Sequence, residues 1–176
     1  FSDFFALEAF DMILNHILPA CNNSDALEDK NKMQLAAFYA GIAICCSGTT
    51  AVHALSYPLG GRYHIPHGVS NAILLLPVMK FNEPVIRDRL AVAYDRVVHG
   101  ERNCLSDREK SAWVLEKMEE IIRKLEIPTD LSDYHVSRQN LENLVQAGMQ
   151  VTRLLENNMR QVTAEDARKI YLEILT

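Results

Sequence analysis

The stretch from Gly48 to Asn82, GTTAVHALSYPLGGRYHIPHGVSNAILLLPVMKFN, constrains this chain more than any other. Four of the seven glycines and three of the six histidines fall between Gly48 and Gly68, whereas the remaining sequence has the spacing of amphipathic helices. His53 follows a run of small residues, Tyr57 lies one helical turn further on, and Pro58-Leu59-Gly60-Gly61 is expected to break regular structure. His64-Ile65-Pro66-His67-Gly68 comes next, and Val69 to Met79 is almost wholly apolar. A helix, a glycine turn and a second helix start would bring His53 and His67 together, although they are fourteen residues apart. Imidazole is the commonest side-chain ligand for a transition metal. Two of them beside a glycine-lined turn make half of a metal site. One histidine in a helix is more often structural than ligating, so the pair, not either ring, carries the reading. His64, three residues before His67, is a candidate for a supporting or pocket-lining role. His16 and His99 read as helix-end residues without a chemical task.

The rest of the chain predicts helices in series. Ser2 is a candidate N-cap for a first helix that Pro19 and Asn22-Asn23 end. Ser24 is a candidate cap for a second, reaching about Ser47, which is apolar all round from Leu35 onward and is expected to be buried at the centre of a bundle. Thr49 or Thr50 would cap the helix carrying His53, and Pro66 would start one that ends near Lys80. Asn82-Glu83-Pro84 reads as a break, followed by a helix from Ile86 to His99-Gly100. Ser106, Ser137 and Thr163 would cap the later helices, with Leu131 to Val136 an irregular link and Asn157-Asn158 an interruption. No segment alternates as a strand does. The expected fold is therefore all-α, one domain over residues 1–176, a bundle of seven or more helices around the one containing Leu35 to Ile44.

Bulk properties exclude several classes. A net charge of −5 gives no support to a nucleic-acid partner. The longest apolar run, Ala72 to Met79, is too short to span a bilayer, so no membrane is expected. No signal peptide is visible at the start. Cys21, Cys45, Cys46 and Cys104 lack metal-knuckle spacing and are expected to be buried free thiols in a reducing cytoplasm.

The Gly48–Asn82 stretch resembles the signature of the iron-containing (group III) alcohol dehydrogenases. The resemblance rests on Gly48, His53-Ala54, Pro58 to Gly61, Pro66-His67-Gly68, Asn71-Ala72, Pro77-Val78 and Asn82, with the same interval between the two histidines. A second match, Leu154 to Tyr171, LLENNMRQVTAEDARKIY, resembles the family's closing segment. The resemblance implies the C-terminal helical domain of a dehydroquinate-synthase-like fold, with His53 and His67 as two ligands of a divalent metal, Fe2+ or alternatively Zn2+. It implies NAD(P)-linked oxidation of a small alcohol, or reduction of an aldehyde, by a cytoplasmic homo-oligomer. Many members carry a second histidine where Tyr57 stands. A phenol is a poorer base than imidazole near neutral pH, so Tyr57 is expected to hydrogen-bond the reacting oxygen. The family's glycine-rich phosphate loop and its Asp and His ligands do not occur in these residues, so NAD(P) would be bound mainly elsewhere, and no cofactor-binding residue is assigned. Alone, the chain is expected to be inactive. The alternatives are a helical interaction module with a vestigial site, and a zinc-dependent dehydroquinate-synthase relative; Pro66-His67-Gly68 favours the dehydrogenases over the latter.

Overall fold

The computed structural model describes residues 1–99 and 104–176. Among these are eight α-helices, two short 3-10 turns at Ser132–Tyr134 and Arg138–Asn140, and no strand, as the sequence pattern predicts. The helices are α1 (Ser2–Asn22), α2 (Leu27–Ser47), α3 (Ala51–Tyr63), α4 (His67–Val97), α5 (Asp107–Lys124), α6 (Leu141–Met149), α7 (Thr152–Glu156) and α8 (Ala164–Ile174).

The strongest caps fall where the sequence places them. Ser106 with Glu109 and Thr163 with Asp166 form reciprocal capping boxes at the starts of α5 and α8. Ser137 with Asn140 does the same for the turn leading into α6. The serine and backbone donors hold the Glu109 carboxyl below the usual range, and Thr163 does so for Asp166. The early caps fail. Ser2 lies inside α1 behind Phe1, α2 starts after Ala26, and Thr50 occupies the N-cap of α3 without a side-chain capping bond.

Proline and glycine do not break the helices as expected. α3 runs through Pro58, Gly60 and Gly61, and α4 runs through both Pro77 and Pro84 across Asn82-Glu83. Each proline removes one helical N–H. Burial of Ile73, Leu74 and Val78, and later of Leu90, Ala91, Tyr94 and Val97, outweighs that loss. The break comes instead at His64, whose left-handed φ of 56° ends α3 with its N–H on Gly60 O. Gly100, expected at a helix end, lies outside the described residues.

The residues group into two compact units: 1–48 with 86–125, and 49–85 with 126–176. In the first, α1 pairs with α2 and α5, and Leu14, Val97 and Ile121 form a small core edged by Phe10, Ile17 and Trp113. Arg96 holds Glu8 at 2.6 Å and the buried Asp11 at 3.1 Å. α1 is long and apolar enough to cross a bilayer by composition, yet these mid-helix carboxylates tie it to α4. His16 pairs with Asp29 at 2.7 Å, and His99 lies 3.5 Å from Asp11.

Two expectations for this unit are wrong. α2 is not a buried central helix: Ala36 is its single buried residue, and Leu35, Phe38 and Ile44 are exposed. All four cysteines are free and exposed, because Cys45 and Cys46 ride on that same uncovered helix and Cys21 and Cys104 lie at exposed helix ends or links.

The second unit carries the large core. Leu55, Leu59, Leu74, Val78, Leu131, Leu144, Leu154, Tyr171 and Ile174 are fully buried together. Burial pushes the Tyr171 phenol well above its ordinary pKa, and its hydroxyl donates to Leu55 O at 2.7 Å. Gly148 permits this approach: a Cβ there would sit 2.9 Å from both the Leu55 side chain and the Tyr171 hydroxyl.

Candidate metal centre

The candidate site stands on the first turns of two helices in the second unit. His53 is the third residue of α3 and His67 the first of α4. Both belong to a His-x-x-Ser pattern that the sequence repeats. Ser56 and Ser70, each almost fully buried, donate to the carbonyls of His53 (3.1 Å) and His67 (3.0 Å). These back-bonds pin each hydroxyl one turn beyond its histidine and bury it without an unmet donor. The surrounding core then fixes the two backbones: Ala51, Ala54 and Leu55 on α3, and Ile73 and Leu74 on α4.

The N-terminus of α3 is capped from a distance. The first N–H groups of any helix lack intrahelical acceptors. Thr50 does not supply one, but Asn158 does: its Oδ1 lies 3.5 Å from the Ala51 N–H. Asn158 also forms a reciprocal amide pair with the buried Asn82 of α4, at 2.8 and 3.1 Å. Its Nδ2 donates again to Arg160 O at 2.6 Å, Arg160 reaches Phe81 O at 2.6 Å, and the guanidinium lies 4.0 Å over the Phe81 ring. Asn157 donates to Thr49 O at 3.2 Å. The closing motif thus clamps α3 and α4, the two helices that carry the histidines. Sequence reasoning recognised both motifs but not their connection, because residues more than 70 positions apart leave no local pattern.

The two imidazoles come together as their spacing predicts, with ring centroids 5.4 Å apart. The PLGG segment is helical rather than a bracketing turn, and the reversal lies at His64 to Pro66. His53 is half-buried and His67 exposed. Burial lowers the His53 pKa, and the neighbouring His67 lowers it further. A position on the first turn, near the positive end of the helix, also disfavours a charged ring at His53. Both Nε2 atoms converge on one group to which the sequence pattern assigns no role: the Asn71 amide nitrogen, 3.0 Å from His67 and 3.4 Å from His53.

The other candidates are placed less centrally. Tyr57 is exposed and meets His53 edge-on, with centroids 6.4 Å apart. His64 is exposed, and its backbone serves the left-handed helix end. Arg62, in the last turn of α3, reaches Asn143 O at 3.4 Å.

Imidazole donors suit iron, zinc, copper and nickel alike. The convergence of two Nε2 atoms on one point is the arrangement such an ion needs from two ligands. Among the described residues no third His, Cys, Asp or Glu joins them.

Comparison with known proteins agrees with this architecture. The model for the Fe-containing alcohol dehydrogenase family, C-terminal part, matches residues 1–175. Long-chain-alcohol dehydrogenase 1 of Geobacillus thermodenitrificans is 32% identical over 170 residues, covering 97% of this chain and 43% of that enzyme. A 1,3-propanediol oxidoreductase crystal structure superposes with a TM-score of 0.90 at 23% identity, over 99% of this chain and 45% of the other. A sulfoacetaldehyde reductase from Bifidobacterium kashiwanohense, solved with NAD+, gives 0.83 at 20% identity, over 99% of this chain and 44% of the other. The chain spans about half the length of the relatives it matches. The match along essentially its whole length means that this chain belongs to the Fe-containing alcohol dehydrogenase family, as its C-terminal part.

Proposed function

We propose that this chain is the metal-binding half of an NAD(P)-linked alcohol dehydrogenase or aldehyde reductase, with His53 and His67 as two ligands of one divalent ion, Fe2+ or Zn2+. The observation that carries the reading is the convergence of both Nε2 atoms on a single point. The remaining ligands and the nucleotide site lie beyond the described residues in this reading, since two imidazoles alone hold an ion weakly. When bound, such an ion supplies Lewis acidity toward an alcohol or carbonyl oxygen.

The residues of this chain do the rest. Ser56, Ser70 and the Asn82–Asn158 clamp hold the ligand helices in register. Tyr57, exposed one turn beyond His53, offers a hydroxyl to the reacting oxygen of a small alcohol or aldehyde. A cytoplasmic homo-oligomer that binds neither nucleic acid nor membrane fits the family and the acidic composition.

The test is alcohol-dependent NAD(P)H formation. The purified chain alone gives none. Joined to the amino-terminal half of the Geobacillus enzyme, it gives a rate that His67→Ala abolishes. A folded chimera whose rate ignores His67→Ala would refute the proposal. In the same chimera Tyr57→Phe loses one hydrogen bond, roughly 1 kcal/mol or about fivefold in catalytic efficiency. A loss on the order of a hundredfold, with a vanished limb in the pH profile, would instead make Tyr57 the proton donor or acceptor.

A further inference from the structure

The Asn71 amide sits where two lone pairs point, and its chemistry is specific to that position. An amide nitrogen carries two hydrogens, one for each imidazole. A hydroxyl has one hydrogen, and a carboxylate has none. Asn71 lies one helical turn beyond His67 on α4, so it shares that histidine's face and reaches across to His53 on α3. Its Oδ1 is buried with no hydrogen-bond partner among the described residues. A buried acceptor left unmet is unfavourable, and that is the cost of turning the amide nitrogen toward both rings.

We propose that Asn71 is a positioning residue that holds both histidines, before any metal arrives, in the tautomer a metal requires. Each Nε2 that accepts from the amide carries no proton, so each ring keeps its hydrogen on Nδ1. Both Nε2 lone pairs then aim at one point. The amide hydrogens occupy that point as stand-ins for an ion and yield it when one binds. Free imidazoles in water would hold neither the tautomer nor the common aim. The purpose of this device rests on the metal reading of His53 and His67; the tautomer itself does not.

The experiment is long-range 1H–15N correlation of the histidine rings in the metal-free chain at pH 8, above the ordinary imidazole range near 6.5. In the wild type, the Nε2 signals of His53 and His67 fall at the unprotonated end of the nitrogen range. In Asn71→Ala, both shift toward the protonated end as the preference of free imidazole returns. In Asn71→Asp, whose carboxylate only accepts, the tautomer reverses and Nε2 carries the proton. Wild-type rings protonated at Nε2, or rings unchanged in both variants, would overturn the proposal. The wild-type spectrum decides the matter even where a variant does not fold. Co2+ added to the same samples separates the two ideas. If the tautomer is as stated but Co2+ does not broaden these rings, the metal reading fails and the role of Asn71 stands. If Co2+ broadens rings that are Nε2-protonated beforehand, the role of Asn71 fails and the metal reading stands.

Discussion

The two compact units treat similar apolar sequences differently. In the unit formed by 49–85 and 126–176, the apolar faces of α3, α4, α6 and α8 close over one another, and Leu55, Leu59, Leu74 and Leu144 lose all contact with solvent. Apart from the Asn71 Oδ1, its buried polar groups named above are paired: Asn82 with Asn158, the Tyr171 hydroxyl with Leu55 O, and Ser56 and Ser70 with the carbonyls of the two histidines. In the unit formed by 1–48 and 86–125, an equally apolar helix stays open, with Phe38 64% exposed and Ile44 47% exposed. The difference teaches that hydrophobic pattern reports which residues favour burial, not whether the chain at hand supplies the cover. The candidate metal centre belongs to the closed unit, where ligand backbones are held by packing on several sides.

The comparison breaks if core truncation hurts both units alike. The largest effect is expected from Leu74→Ala, which removes a fully buried side chain and leaves a cavity, at about 2–5 kcal/mol. A urea midpoint unchanged by Leu74→Ala would deny that this core is closed. Asn158→Ala comes next. It strips the Ala51 N–H of its acceptor and leaves the buried Asn82 amide unpaired, a loss of about 1–3 kcal/mol. Amide exchange in the first turn of α3 should speed up with it, and unchanged protection there would refute the distant cap. Phe38→Ser should be smallest, within about 0.5 kcal/mol by urea denaturation, because the ring is already in water. A loss comparable to that of Leu74→Ala would mean that α2 is covered after all.

The sequence showed the helical class, the caps at Ser106, Ser137 and Thr163 and the approach of His53 to His67, because each rests on local spacing. It misplaced the helix breaks, since Pro58, Pro77 and Pro84 were judged by propensity and tertiary burial overrode it. It misjudged α2 because an all-apolar helix carries no sign of whether its partner is present. Asn71 stood in the recognised motif without a task, and only the meeting of two rings from different helices gave it one. The role of Asn158 was invisible for the same reason: its acceptor serves a helix start over 100 residues away.

The central claim is that His53 and His67 form one metal site. Titrating the isotope-labelled chain with Co2+ at pH 8, and following all histidine ring signals, tests it most directly, because paramagnetic broadening registers even the weak binding expected of two ligands. His53 and His67 should broaden together and first, ahead of His16, His64, His99 and His135, and His67→Ala should remove the effect at His53. Because a ligand imidazole must be neutral, the effect should fade as pH drops below the ordinary imidazole range near 6.5. The lowered pKa of His53 keeps that ring available further into acid than an ordinary histidine. Broadening that begins at other histidines, or that strikes His53 unchanged in His67→Ala, would contradict a shared site.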